Sequence, residues 1–207
     1  MGVGGARRRF GAAGDGGGPV KRPVILDVGG GTGAWSEPYR KALYDVRIID
    51  PATWPFMTAA EAAEMGLESV HGILLAPPCT EFAGSGARWW ATKPPELLER
   101  AIAVVRDMLR LVELFRPQWW ALENPVGRIV RSVPELGRHR YSWHPHHYGD
   151  PEVKRTCMWG DHVEPKRCPV PGPYNARVFR MAPSDNRAAL RSITPSGFAR
   201  AFFEANP

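Results

Sequence analysis

Short apolar runs, each closed by a turn-forming residue, dominate the first 125 positions. Val24-Ile25-Leu26 ends at Asp27 and a glycine cluster, and reads as a buried strand. Val46-Arg47-Ile48-Ile49 is a second, ended by Asp50 and stopped by Pro51. His71-Gly72-Ile73-Leu74-Leu75-Ala76 is a third, ended by Pro77-Pro78, and residues 118–122 make a fourth that runs into Glu123-Asn124-Pro125. Between the strands the spacing turns helical. Helices are predicted over 34–43, over 58–65 with Thr58 as N-cap, and over 95–115, where Leu98, Ile102, Val105, Leu109 and Val112 mark one face. A proline and a glutamate open the last of these, and Arg116-Pro117 stops it. Strands alternating with helices imply an α/β chain: a mostly parallel sheet with helices on both faces. In such sheets ligands bind beyond the carboxyl ends of the strands. Residues 29–33, Asp50, Cys79 and Glu123 each follow a strand.

After Arg128 the pattern weakens. Residues 134–152 are rich in proline, histidine and aromatics, 154–159 suit one more strand, and 161–190 look irregular. Thr194-Pro195 then precedes a last helix over 196–205, with Ser196 as a candidate cap.

Composition narrows the class. The chain has 207 residues, 43% hydrophobic and 23% charged, which suits one globular domain of 23–207 behind a flexible Gly/Arg-rich tail of 1–22. No apolar run approaches the roughly 20 residues that span a bilayer, so no membrane is expected. The first 22 residues have Arg7, Arg8 and Arg9 but no apolar stretch behind them, unlike a secretory signal. Three scattered cysteines make no disulfide framework, and a cytoplasmic setting fits them. The net charge is +6, of which +4 falls in residues 1–22. Such a basic arm suits a polyanion or is a merely solvated leader. Residues 161–191 carry six cations against Asp161, Glu164 and Asp185, a second basic surface.

Three stretches carry chemistry. In Asp27-Val28-Gly29-Gly30-Gly31-Thr32-Gly33, glycines between a strand and a helix let a ligand approach the backbone, as a nucleotide-like cofactor requires. No Gly-Lys-Ser/Thr follows, so this is not a phosphate loop. Asp50 suits ribose hydroxyls, or a plain turn before Pro51. In Ala76-Pro77-Pro78-Cys79-Thr80, two prolines stiffen the loop that holds a thiol at a strand tip, a nucleophile's position, although a lone cysteine is often inert. In Ala121-Leu122-Glu123-Asn124-Pro125, a carboxyl beside Trp119, Trp120 and Leu122 would stay protonated and donate to a ring nitrogen of a base, unless it only caps a turn. Arg88-Trp89-Trp90 lies in a glycine-containing loop after Cys79 that could close over the site and stack on bases; Trp119-Trp120 suits the core. His144, His146, His147, Cys157, His162 and Cys168 match no common zinc spacing, and no metal is expected.

In order along the chain, residues 26–33, Pro77-Pro78-Cys79, Glu123-Asn124-Pro125 and Tyr148-Gly149-Asp150-Pro151 resemble the cytosine carbon-5 DNA methyltransferases, especially the small phage forms. The resemblance runs over 23–207. It implies the Rossmann-like methyltransferase fold and S-adenosylmethionine as cofactor. It implies cofactor contacts from Asp27, Gly29, Gly30, Gly31, Thr32, Gly33, Trp35, Asp50 and Pro77, and from Thr194 in Arg191-Ser192-Ile193-Thr194-Pro195, where a simple helix cap is the alternative. Cys79 would add to carbon 6 of cytosine, and Glu123 would protonate nitrogen 3. Pro78, Asn124, Arg88 and Trp89 would meet the substrate. Where the family has two arginines at alternate positions, this chain has Lys154 and Thr156, with Arg155 as a substitute that a strand would turn to the other face. The aspartate that contacts adenine in the family is not evident; Glu68 and Ser69 are the stand-ins.

The family's target-recognition domain has only residues 161–193 in its place, too few for a core of their own, which implies relaxed or short sequence preference or a separate specificity subunit. The expected partner is DNA, duplex or single-stranded. Three other readings stay open: the same chemistry on RNA or a free nucleotide, transfer of another group (carboxymethyl, for instance) from a modified S-adenosylmethionine, and a catalytically idle nucleic-acid-binding protein.

Overall fold

The computed structural model describes residues 21–50, 59–67, 69–182 and 184–207. The basic tail through residue 20, the Thr58 cap and Glu68 lie outside them. Six strands form one sheet. They are β1 (Val24–Val28), β2 (Asp45–Ile49), β3 (Gly72–Leu75), β4 (Trp119–Pro125), β5 (Tyr141–Trp143) and β6 (Thr156–Trp159), in the order β2-β1-β3-β4-β6-β5. The first four are mutually parallel, while β6 runs antiparallel to β4 and β5 antiparallel to β6. The parallel strands therefore end together, and Gly29, Asp50, Ala76 and Pro125 crowd one edge of the sheet. Among the described residues no helix is long and apolar enough to cross a membrane.

Alternation along the strands divides the core in two. Leu26, Val28, Ile73, Leu75 and Leu122 face one layer, packed against α2 (Ala59–Glu64) and the 21-residue α3 (Pro95–Phe115). Ile25, Leu74, Trp119, Ala121 and Met158 face the other, packed against α1 (Glu37–Lys41) and α7 (Ser196–Ala205). There Trp35, Phe198 and Phe202 are buried; Phe198 lies against Trp143 at 3.8 Å between ring centroids. Burying each phenylalanine contributes roughly 1.5–3 kcal/mol. Gly197 is what lets α7 approach: a Cβ there would sit 1.8 Å from the Tyr148 carbonyl oxygen. That contact carries Thr194, just ahead of the helix, back to the strand ends.

The structure departs from the sequence expectations where an apolar count misjudged a local bond or a small residue. The helix expected over 34–43 contracts to α1, because Ser36 spends its hydroxyl on the buried Asp27 carboxylate rather than on capping, and a proline in the first turn starts the helix. On α3 the buried stripe is Ala101, Val105, Met108 and Leu111; Leu98, Ile102, Leu109 and Val112 flank it, half-buried. β6 begins at Thr156, so Lys154 and Arg155 precede it in open chain and the two-face argument does not apply to them. Pro195, not Ser196, occupies the cap position of α7. A one-turn helix, α4 (Ile129–Ser132), follows β4, and the stretch expected to be irregular carries two short helices, α5 (Arg177–Arg180) and α6 (Arg187–Ser192). The only buried side chains among its described residues are His162 and Pro165.

Candidate active site

The strand ends enclose a cleft of about 310 Å³. Gly29, Gly30 and Gly31 floor it, with Trp35, Ile49 and Asp50 on one side and Ala76, Pro77, Pro78 and Cys79 on another. Glu123, Pro125, Lys154, Ser192 and Thr194 complete it.

The glycines are demanded by geometry. Gly29 has φ +75°, and a Cβ on it would stand 2.5 Å from the Ala76 carbonyl oxygen. A Cβ on Gly30 would stand 1.9 Å from Asp27 Oδ1, whereas Gly31, at φ +53°, borders open space. Asp27 itself does not line the cleft. It is buried beneath the loop and bonded to Ser36, and burial raises its carboxyl to about 6. It positions the loop. Thr32 and Gly33 likewise turn the chain into Trp35 without lining the cleft; the Gly33 amide donates to the Gly30 carbonyl at 3.0 Å. The bare backbone over Gly31 and the buried Trp35 Nε1, which has no hydrogen-bond partner among the described residues, fit a flat heteroaromatic cofactor with polar edges. Ser69 is exposed and lies away from the cleft.

Cys79 and Glu123 come from adjacent parallel strands and face the same space. Asn124 does not reach it: fully buried, it donates from Nδ2 to the Pro77 carbonyl at 3.2 Å and so holds the Cys79 loop against β4. A backbone bridge between Ala83 and Gly127 adds a second tie, with the Gly84 amide donating to the Val126 carbonyl at 2.8 Å. The third involves Glu81 and Arg128, neither suggested by the sequence, since a charge soon after a motif has no periodicity to announce it. Arg128 donates from Nε to the Glu81 carbonyl at 2.7 Å and lies over the Trp90 ring at 4.5 Å, while Lys93 pairs with the Glu81 carboxylate at 2.7 Å. The Cys79 loop is thus fastened at its root rather than hinged as a free lid. Its outer turn (Gly84–Trp89) carries Arg88 and the half-exposed Trp89 to the rim of a second recess.

Lys154 tunes both groups. Its ammonium donates to the Arg191 carbonyl at 2.9 Å, which aims it into the cleft. Burial raises the Cys79 thiol, and a Glu123 carboxylate would add to that; Lys154 and Arg191 pull it down. Burial likewise raises the Glu123 carboxyl against the pull of Lys154. A proton on Glu123 therefore removes one of the forces that oppose a thiolate on Cys79. Arg155 stands outside the cleft, with Nε donating to Ser142 Oγ at 3.2 Å. Among the described residues no group of three or more His, Cys, Asp or Glu side chains is arranged to hold a metal ion.

A first prediction follows from this electrostatics. Lys154→Met removes a cation that favours the thiolate, so the Cys79 alkylation profile with iodoacetamide should move to higher pH, with a rate at pH 7.5 about threefold to tenfold lower. Peptide mass spectrometry separates Cys79 from the exposed Cys168. An unmoved profile would remove Lys154 from the site.

No family model and no curated protein matches the chain. Among solved structures it is similar to a protein described as a prophage-encoded DNA modification methyltransferase of E. coli, at TM-score 0.45 and 14% identity, over 67% of this chain and 46% of that one. It is also similar to the Entamoeba histolytica methyltransferase EhMeth, at TM-score 0.39 and 13% identity, over 71% and 55%. The chain spans about half the length of the solved structures it matches.

Proposed function

We propose that this protein transfers a methyl group to carbon 5 of cytosine in DNA. One observation carries the reading: Cys79 and Glu123, at the ends of neighbouring parallel strands, share one cleft with a glycine floor. A binding protein has no use for a thiol there, and an inert core cysteine would not stand beside a half-buried carboxyl and a lysine. The resemblance of the four motifs supports the same reading.

S-adenosylmethionine, held by Gly29 to Gly31, Trp35 and Asp50, would supply an electrophilic methyl group and would leave as S-adenosylhomocysteine, its sulfur keeping the electron pair of the broken bond. The chain's own groups make the acceptor. Cys79 Sγ bonds to carbon 6 of the cytosine while Glu123 delivers its proton to nitrogen 3, so no charge accumulates on the ring. Carbon 5, now enamine-like, takes the methyl. It then loses its proton to water, the carbon–sulfur bond breaks, and its electron pair returns to Cys79 as Glu123 recovers its proton. Lys154, whose charge acts on both groups, stabilises the thiolate before addition and after release. Asn124 and the Gly127 bridge hold the two strand tips in register. With so little chain in place of a recognition domain, sequence preference is short or relaxed.

The test is transfer from labelled S-adenosylmethionine to duplex DNA, single-stranded DNA, RNA and dCMP in parallel, followed by digestion to nucleosides. Label recovered as 5-methylcytosine from DNA is expected. Label on an exocyclic nitrogen, or only in RNA or dCMP, would overturn the assignment.

A further inference from the structure

Two recesses outside the cofactor cleft meet at Cys79. One, of about 750 Å³, is lined by Thr80, Arg88, Trp89, Arg187 and Arg191 among others, with Asp185 the carboxylate on its wall. The other, of about 400 Å³ and largely apolar, is lined by Val126, Arg155, Phe179 and Arg191 among others. They share Cys79, Ala83, Ser85 and Arg191, so they form one continuous groove past the thiol. Each arm carries a large aromatic side chain that the fold leaves in solvent: Trp89 is 54% exposed and Phe179 50%. Neither belongs to the two buried clusters. Trp89 already has the Arg88 guanidinium 5.1 Å from its ring centroid. Arg187 Nε is shut off from solvent with no hydrogen-bond partner among the described residues.

We propose that this groove binds single-stranded DNA, with the bases on either side of the target cytosine stacked on Trp89 and Phe179. The proposal rests on the reading above and names its substrate form. An apolar partner would not seek a wall of four arginines, whereas a phosphate backbone does. An aromatic in each arm can be reached only by neighbours that have left their own stack. In a duplex those neighbours stay stacked and only the target turns out. The thin segment that stands in for a recognition domain has no core with which to hold a second strand. Stacking tolerates every base, which agrees with relaxed preference.

The experiment uses the full chain and a fluorescent 12-nucleotide strand containing one cytosine, alone and annealed to its complement. Anisotropy without cofactor measures binding, and labelled S-adenosylmethionine measures transfer. The single strand should bind at least tenfold tighter than the duplex. Trp89→Ala and Phe179→Ala should each weaken single-strand binding about tenfold and leave duplex binding within twofold. Trp89→Phe and Phe179→Tyr should restore most of the loss, which separates stacking from misfolding. Equal affinity for both forms, or alanine variants without effect, overturns the groove even if transfer is robust. Tight, aromatic-dependent single-strand binding without transfer to any cytosine upholds the groove and overturns the reaction.

Discussion

Cys79→Ala should lower methyl transfer at least a thousandfold while the melting temperature stays within about 3 °C of the parent. The first half rests on chemistry. Without a bond at carbon 6, carbon 5 of cytosine is too weak a nucleophile for any rearrangement of neighbours to compensate. The second half rests on structure. Cys79 is half-buried, and the bonds that shape its loop go to its main-chain carbonyl, which accepts the Phe82 amide at 3.0 Å and the Ala83 amide at 2.8 Å. Removing one sulfur leaves those bonds, at a cost of about 1 kcal/mol. DNA carrying 5-fluorocytosine gives an independent readout. The fluorine cannot leave as the proton does, so the parent should form an adduct that survives denaturing electrophoresis, and the variant none. Residual transfer by the alanine variant would mean that no covalent step occurs at this residue.

Gly127→Ala should be among the most damaging single methyl groups at the described glycines. A Cβ on Gly127 would lie 1.7 Å from the Phe82 carbonyl oxygen, 2.7 Å from its carbon and 2.8 Å from the Gly84 nitrogen. All three are backbone atoms, so no rotamer change relieves them. The chain must separate where Ala83 bridges Gly127 and where the Arg128 amide donates to Phe82 at 2.8 Å. The expected loss is about 3 kcal/mol, or roughly 6–12 °C in melting temperature for a chain of this size. Transfer assayed well below that temperature should still fall at least tenfold, because the same separation moves the thiol away from Glu123. Gly66→Ala is the control: its φ is +70°, but a Cβ there meets nothing within 4 Å. It should cost about 1 kcal/mol and leave transfer intact. Equal behaviour of the two variants would show that the bridge does not position the site.

The four parallel strands were legible because each is a short apolar run closed by a breaker, and that signal is local. So were the residues at their tips. β5 was not: Tyr141-Ser142-Trp143 is three residues long and owes its strand form to pairing with β6. Asn124 read as a substrate contact because it stands beside Glu123, yet alternation turns it inward, to Pro77. Glu81 and Arg128 gave no sign, since an ion pair between loops leaves no spacing to detect. Phe179 is a single apolar residue in a basic stretch with no periodicity to single it out. Its exposure, which makes it informative, is a property of the folded chain alone.

The reversed direction of β6 has a consequence for synthesis. Because Pro125 pairs with Thr156, the chain delivers Lys154 to the strand tips without recrossing the sheet. The thiol, the carboxyl and the lysine nonetheless leave the ribosome in that order, with 43 residues between Cys79 and the next and 30 more before the last. A nascent chain thus presents Cys79 well before the lysine whose charge favours its thiolate arrives. Until the later two have followed, the thiol has neither its carboxyl nor its cation beside it, so the cleft that joins all three is completed only late in synthesis.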